Sequence, residues 1–101
     1  MYLPRGYVSY KAVYEFRWNE WNIDHIADHG VTVDTAEEIV NSARRPWPEK
    51  IGDGKWRVWG RARNGLYLQV IYVFSPEDKI FVIHAMPLTD TQKRQFRRRA
   101  R

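Results

Sequence analysis

Three groups of residues in this 101-residue chain have types and spacings that suit chemistry. His25 and His29 stand four apart, so on a helix they share a face. Lys55, Arg57 and Arg61 occupy alternate positions of one stretch, with Trp59 between the two arginines. His84 ends the apolar run Ile80-Phe81-Val82-Ile83. The histidine pair has the spacing of many zinc hydrolases, but such a site needs a third ligand and a glutamate directly after the first histidine. Ile26 stands at that glutamate position, and the one remaining histidine, His84, is expected on a distant strand. No metal and no other cofactor is therefore expected, and Trp21 stacked beside His25 and His29 accounts for the stripe as polar structure.

The basic stretch admits two readings. Arginine holds phosphate through paired hydrogen bonds and an aromatic ring stacks on an unpaired base, which together suit single-stranded RNA. The other reading is the solvated outer face of a sheet. His84 is likewise either a proton donor or acceptor in RNA cleavage, or a strand-end histidine satisfied by a neighbour. The tail KRQFRRRAR, residues 93–101, has no acidic residue and reads as a clamp on a phosphate backbone or as a solvated end. The sequence carries no glycine-rich phosphate loop and no Ser/His/Asp or Cys/His pattern, which disfavours nucleotide-dependent enzymes and the common hydrolases.

Charge supports an anionic partner. The net charge of +5 is concentrated in two blocks. Residues 44–63 hold seven Lys/Arg against two Asp/Glu, and residues 93–101 hold six against none, while the rest is net acidic. A polyanion such as RNA fits that distribution. The length suits a single domain over residues 1–101, and 44% hydrophobic residues suffice for a packed core. The absence of cysteine excludes a disulfide scaffold and suits a cytoplasmic setting. No run is long and apolar enough for a membrane span, and the N-terminal stretch holds no apolar segment of a signal peptide.

These residues need elements to position them. Residues 1–9, with Pro4 and Gly6, read as a loose arm, and Lys11 to Arg17 as a strand with Ala12, Tyr14 and Phe16 on one face. Asn19 is the expected N-cap of a first helix that Gly30 stops, with an apolar stripe of Ile23, Ile26 and Ala27 beside Trp21, His25 and His29. Asp34 and Glu37 have the spacing of a capping box for a second helix, packed through Val33, Ala36, Ile39, Val40 and Ala43. Residues 46–54, with two prolines, read as a loop. Asn64-Gly65 then signals a hairpin. A two-residue loop would set Arg61 and Arg63 against leucines. A three-residue loop over Arg63 to Gly65 pairs Gly60 with Leu68, Val58 with Val70 and Trp56 with Tyr72, and buries no arginine, so that register is expected. It leaves Lys55, Arg57, Trp59, Arg61, Tyr67 and Gln69 on the outer face. A last strand runs from Ile80 to His84, closed by Pro87, and Thr89 with Gln92 caps a basic helix over residues 93–101 anchored by Phe96. The order is β-α-α-β-β-β-α, an α+β fold with an antiparallel sheet and helices packed on one face.

Three segments in this order resemble the BrnT family of bacterial type II toxins. They are FRWNEWNIDHIADHGVTVDTAEEIV (Phe16 to Val40), WGRARNGLYLQVIYVF (Trp59 to Phe74) and IFVIHAMPLTDTQKRQF (Ile80 to Phe96). The resemblance implies a RelE-like fold, metal-independent ribonuclease activity that inhibits translation, and neutralisation by a ribbon-helix-helix antitoxin. It also implies assembly as a homodimer or as a toxin–antitoxin hetero-oligomer. Arg61 matches the arginine of the family's G-R pair, His29 and Gly30 its H-G, and Lys93 and Arg94 basic positions of its last helix. Where the family carries an arginine after its last strand, this chain has Met86. The reading that follows assigns phosphate charge to Arg57 and Arg61 and proton transfer to His84. Lys55, Trp59, Tyr67, Lys93, Arg94 and Arg97 hold the RNA. The alternative, motivated by Met86, is a module of the same fold that binds RNA or an antitoxin without catalysis.

Overall fold

The computed structural model describes residues 14–100. Two helices, α1 (Glu20–Ala27) and α2 (Val33–Asn41), precede four strands, β1 (Glu49–Gly52), β2 (Lys55–Arg61), β3 (Tyr67–Phe74) and β4 (Ile80–Pro87), and helix α3 (Asp90–Arg99) follows them. The strands form one antiparallel sheet in the order β1-β2-β3-β4. No helix among the described residues is long and apolar enough to cross a membrane.

The β2–β3 hairpin has the register expected from the turn: Trp56 opposes Tyr72, Val58 opposes Val70 and Gly60 opposes Leu68. Gly65 takes the positive φ of 94° that the turn requires. Strand alternation then sorts the two faces. Val58, Leu68, Val70, Tyr72, Val82 and Ala85 are buried together with Ile26 of α1 and Ala36, Ile39 and Val40 of α2. Gly60 lets α2 approach closely, since a Cβ there would stand 3.2 Å from Ile39 Cδ1.

Helix α1 lies along β4, an edge strand, and caps its open side. Its buried residues are Asn22 and Ile26 rather than the stripe of Ile23, Ile26 and Ala27, because an edge strand offers unpaired carbonyls. The Asn22 amide donates to the backbone oxygens of Val82 (3.1 Å) and Arg17 (3.2 Å). Its Oδ1 accepts from the Asn19 N–H, completing a capping box around the expected N-cap. Ile23 and Ala27 face outward.

Four further expectations are corrected. Helix α2 is capped by Thr32, whose hydroxyl accepts from Thr35 N–H, and not through Asp34 and Glu37. Part of the expected 46–54 loop is strand β1, which the sequence hid among two prolines and two glycines. The strand expected from Lys11 to Arg17 reduces, over its described part, to a single parallel bridge between Phe16 and Ile80; residues 11–13 and the 1–9 arm lie outside the described residues. The helices do not all lie on one face. Phe96 of α3 meets Tyr67 at 5.9 Å and Trp47 at 5.2 Å, and Trp47 meets Trp59 at 5.8 Å. Trp59 and Tyr67 alternate with the residues under α2, so α3 covers part of the opposite face. The outcome is a small α+β domain of helix, helix, four strands and helix. The Thr89–Gln92 capping box of α3 forms as expected.

Candidate nucleic-acid interface

The sheet face that α3 partly covers carries six of the nine candidate residues, Lys55, Arg57, Trp59, Arg61, Tyr67 and His84, in cross-strand rows, and Lys93, Arg94 and Arg97 stand on α3 itself. One row runs Glu49, Arg57, Ile71, His84; the next holds Trp59, Gln69 and Met86; the last pairs Arg61 with Tyr67. A register shift at Ile71/Tyr72 leaves Ile83 unpaired and sets His84 opposite Ile71 on this face. The rows separate the candidate residues into three clusters.

Tyr67 forms the first. Arg61 (5.4 Å), Lys93 (5.6 Å) and Arg97 (5.4 Å) all lie over its partly exposed ring, and Phe96 packs on it edge-on. One comes from β2 and two from successive turns of α3. Arg61 and Arg97 make no ion pair among the described residues, and Lys93 has only Asp90 at 3.9 Å. Three cations with little compensating charge around one aromatic ring suit a base stacked on that ring with its adjoining phosphates held by the cations. Arg94, on the same helix, points elsewhere and bonds Thr91 Oγ1 at 3.2 Å.

Glu49 organises the second cluster. It receives Arg57 at 2.8 Å and also Arg99. The Arg99 guanidinium lies 5.0 Å from the Trp47 ring and 5.5 Å from Trp59, and Arg57 lies 5.2 Å from Trp59. Burial pushes the Glu49 carboxyl up, but the hydrogen bonds and charge of Arg57 and Arg99 outweigh it and hold the group below its usual range. Arg57 is thus committed to a protein carboxylate. Trp59 is only 4% exposed, and its indole N–H donates to Gln69 Oε1 at 2.9 Å, so its ring is not presented to a ligand. The sequence placed it on the outer face, which is correct, but could not show that α3 and Trp47 cover it. Lys55 stands at the far end of β2, about 20 Å along the strand from Arg61.

The third cluster brings all three histidines of the chain together. His84 is not distant from the helical pair: its ring centroid lies 6.3 Å from that of His25 and 5.7 Å from that of His29. Trp21 stacks on His25 at 5.0 Å and on Phe81 at 6.1 Å. Burial, then the neighbouring His29 and His25, push the His84 imidazole below its usual value, which favours the neutral form able to accept a proton. Among the described residues no set of three or more His, Cys, Asp or Glu is placed to hold a metal ion. His84 and Tyr67 are about 14 Å apart, four residues along β3 and one strand across. Met86 lies between them, in the row of Trp59 and Gln69.

No protein-family model, no curated protein and no solved structure matches the chain.

Sequence reasoning missed a fourth group. Arg44 and Arg45, just after α2, line one cleft with Pro46, Arg98 and Arg99. The two basic blocks of the sequence therefore meet in space. The available signal was the pair Arg44-Arg45 beside a helix end, but its partner lay more than fifty residues away.

Proposed function

We propose that this protein binds single-stranded RNA, as a domain of the BrnT-like toxin type its sequence resembles. An unpaired base stacks on Tyr67 while Arg61, Lys93 and Arg97 hold the adjoining phosphates. The observation that carries this reading is the triple cation cluster on one partly exposed ring. A RelE-like fold and a ribbon-helix-helix antitoxin belong to the same proposal through the resemblance. The test is fluorescence anisotropy with labelled oligo(U). Tyr67→Ala removes a stacking partner worth roughly 1–3 kcal/mol per base, a weakening of about tenfold or more, whereas Tyr67→Phe retains most of the affinity. Equal affinity in Tyr67→Ala and the parent would overturn the reading.

A second reading, ribonuclease action that inhibits translation, has one observation in its favour. His84 is on the same sheet face and is biased toward the neutral imidazole that a general base must be. In this chemistry the RNA's own 2′-hydroxyl attacks the adjacent phosphorus, so the protein supplies proton transfer and charge stabilisation rather than a nucleophile. The roughly 14 Å between His84 and Tyr67, and Met86 where the family has arginine, favour binding over cleavage. RNA cleavage that His84→Ala abolishes, together with growth arrest on induction, would reverse that preference.

A further inference from the structure

The cleft between the end of α2 and the end of α3 gathers four arginines. Its walls are Arg44, Arg45, Arg98 and Arg99 with Pro46, and no carboxylate lines it. Arg44, Arg45 and Arg98 make no ion pair among the described residues, and all three are exposed. Arg99 is held in place by Glu49 and by the Trp47 and Trp59 rings, so part of the cleft is fixed before any ligand arrives. Next to Pro46 in the chain, Trp47 is 4% exposed and its indole N–H has no acceptor among the described residues. Like charges gathered this closely repel one another, and a bound polyanion relieves that repulsion.

The cleft is continuous with the tyrosine cluster. A groove lined by Arg61, Trp59, Phe96, Ala100 and Arg44 leads from one to the other. Along α3, Lys93 and Arg99 are about 9 Å apart. The α2 wall of the groove carries Asp34, Glu37 and Glu38, which confines an anionic strand to the α3 side. The cleft itself offers guanidinium groups and no exposed aromatic ring, so it suits backbone phosphates and not bases.

From this we infer that the Arg44–Arg45–Arg98–Arg99 cleft is a second RNA subsite, which grips consecutive phosphodiesters of the strand whose base stacks on Tyr67. The inference rests on the RNA-binding reading and extends it to a two-point grip. Arg45→Ala with Arg98→Ala tests it, because both side chains are exposed and make no ion pair among the described residues, and their loss leaves Glu49 and Arg99 intact. The probes are oligo(U) of about four and about ten nucleotides, within the range of single-strand site sizes. Arg17→Ala with Lys79→Ala removes the same charge at the opposite end, near Glu77.

The expected result is a salt dependence of log affinity for the longer probe that is shallower by about 1.4, since each phosphate contact on a single strand contributes about 0.7. The advantage of the longer probe over the shorter one shrinks with it, and the control pair changes neither. If Tyr67→Ala weakens binding while the arginine pair does not, the second subsite falls and the RNA reading stands. If the parent protein binds neither probe at low salt, both fall. If a polyglutamate peptide displaces the longer probe from the parent at matched charge, and the arginine pair abolishes that displacement, the cleft serves an acidic protein segment and the inference is overturned.

Discussion

Asn22 and Val82 are joined by a hydrogen bond of 3.1 Å from the side-chain amide of α1 to a backbone oxygen of the edge strand β4. Asn22 is fully buried, and the same side chain serves Arg17 O and Asn19 N–H. Removing it strands three backbone groups at once. Asn22→Ala is expected to destabilise the fold by about 2–4 kcal/mol, since each buried orphan group costs roughly 1–3 kcal/mol and part of this is recovered by water. Asn22→Asp keeps the acceptor but loses both donations and sets a charge against two carbonyls, so it is no milder. Urea denaturation measures both. A loss under about 0.5 kcal/mol would mean that α1 does not depend on this bond to close the sheet edge.

Gly60 and Ile39 set the distance between β2 and α2. Gly60→Ala places a methyl 3.2 Å from Ile39 Cδ1 and 3.4 Å from Cγ2, closer than ordinary packing. Overpacking of this kind costs about 1–3 kcal/mol. Ile39→Val removes the nearer carbon, so the double variant is expected to lose less than the sum of the two single losses. Strict additivity in a double-mutant cycle would show that the two positions do not touch.

How far these relationships were legible in the sequence depended on their physical origin. The hairpin register followed from Asn64-Gly65 and from the cost of burying Arg61 and Arg63, both local or pairwise matters. The Asn19 and Thr89 caps followed from side-chain chemistry at fixed spacing. Asn22 was illegible, because hydrophobic periodicity marks apolar faces and cannot show that a helix will cover an edge strand whose carbonyls need a donor. Strand β1 was illegible because its order comes from Glu49 meeting Arg57 and Arg99, the latter fifty residues away. The cover over Trp59 came from Trp47 and α3, elements that read as a loop and as a basic helix anchored by Phe96, with nothing local to show that they meet over Trp59. The sequence named these residues one by one but could not show how they group: Arg61 belongs with Tyr67, Arg57 with Glu49, and His84 with the two helical histidines.

Glu49 ties β1, β2 and α3 through two guanidiniums. Glu49→Gln leaves Arg57 and Arg99 without a counterion in a site whose side chains are 22–35% exposed. The expected cost is about 1–2 kcal/mol, between the values for surface and for buried pairs. Because the folded carboxyl is held below its ordinary 4.5, its contribution is present above that pH and fades as pH falls through and below it. Thermal melts of the parent should therefore lose stability in that acid range more steeply than melts of Glu49→Gln.

His84 acts in a different pH window. Its folded value lies below the ordinary 6.5, so between the two values the unfolded chain binds more protons than the folded one. Stability is then expected to fall as pH drops below about 6.5, and His84→Asn to flatten that part of the profile. His25→Asn and His29→Asn should reduce the slope in part, since each adds to the shift. A profile in which His84→Asn matches the parent from about pH 7 to 5 would remove the coupling among the three imidazoles.

Trp59 and Tyr67 look equivalent in the sequence, two aromatic rings on the outer face of one hairpin, and they are expected to separate cleanly by experiment. Trp59 is buried and bonded to Gln69, whereas Tyr67 is partly exposed among three cations. Trp59→Phe keeps an aromatic ring in the Trp47–Phe96 cluster but leaves Gln69 Oε1 without its donor, and is expected to cost about 1–2 kcal/mol of stability. Its affinity for oligo(U), measured on the folded protein, should equal that of the parent. Tyr67→Ala should show the reverse, a modest stability change with a marked loss of binding. If Trp59→Phe instead weakens oligo(U) binding by about tenfold with its melting temperature unchanged, the base stacks on Trp59, and α3 must move aside to admit it.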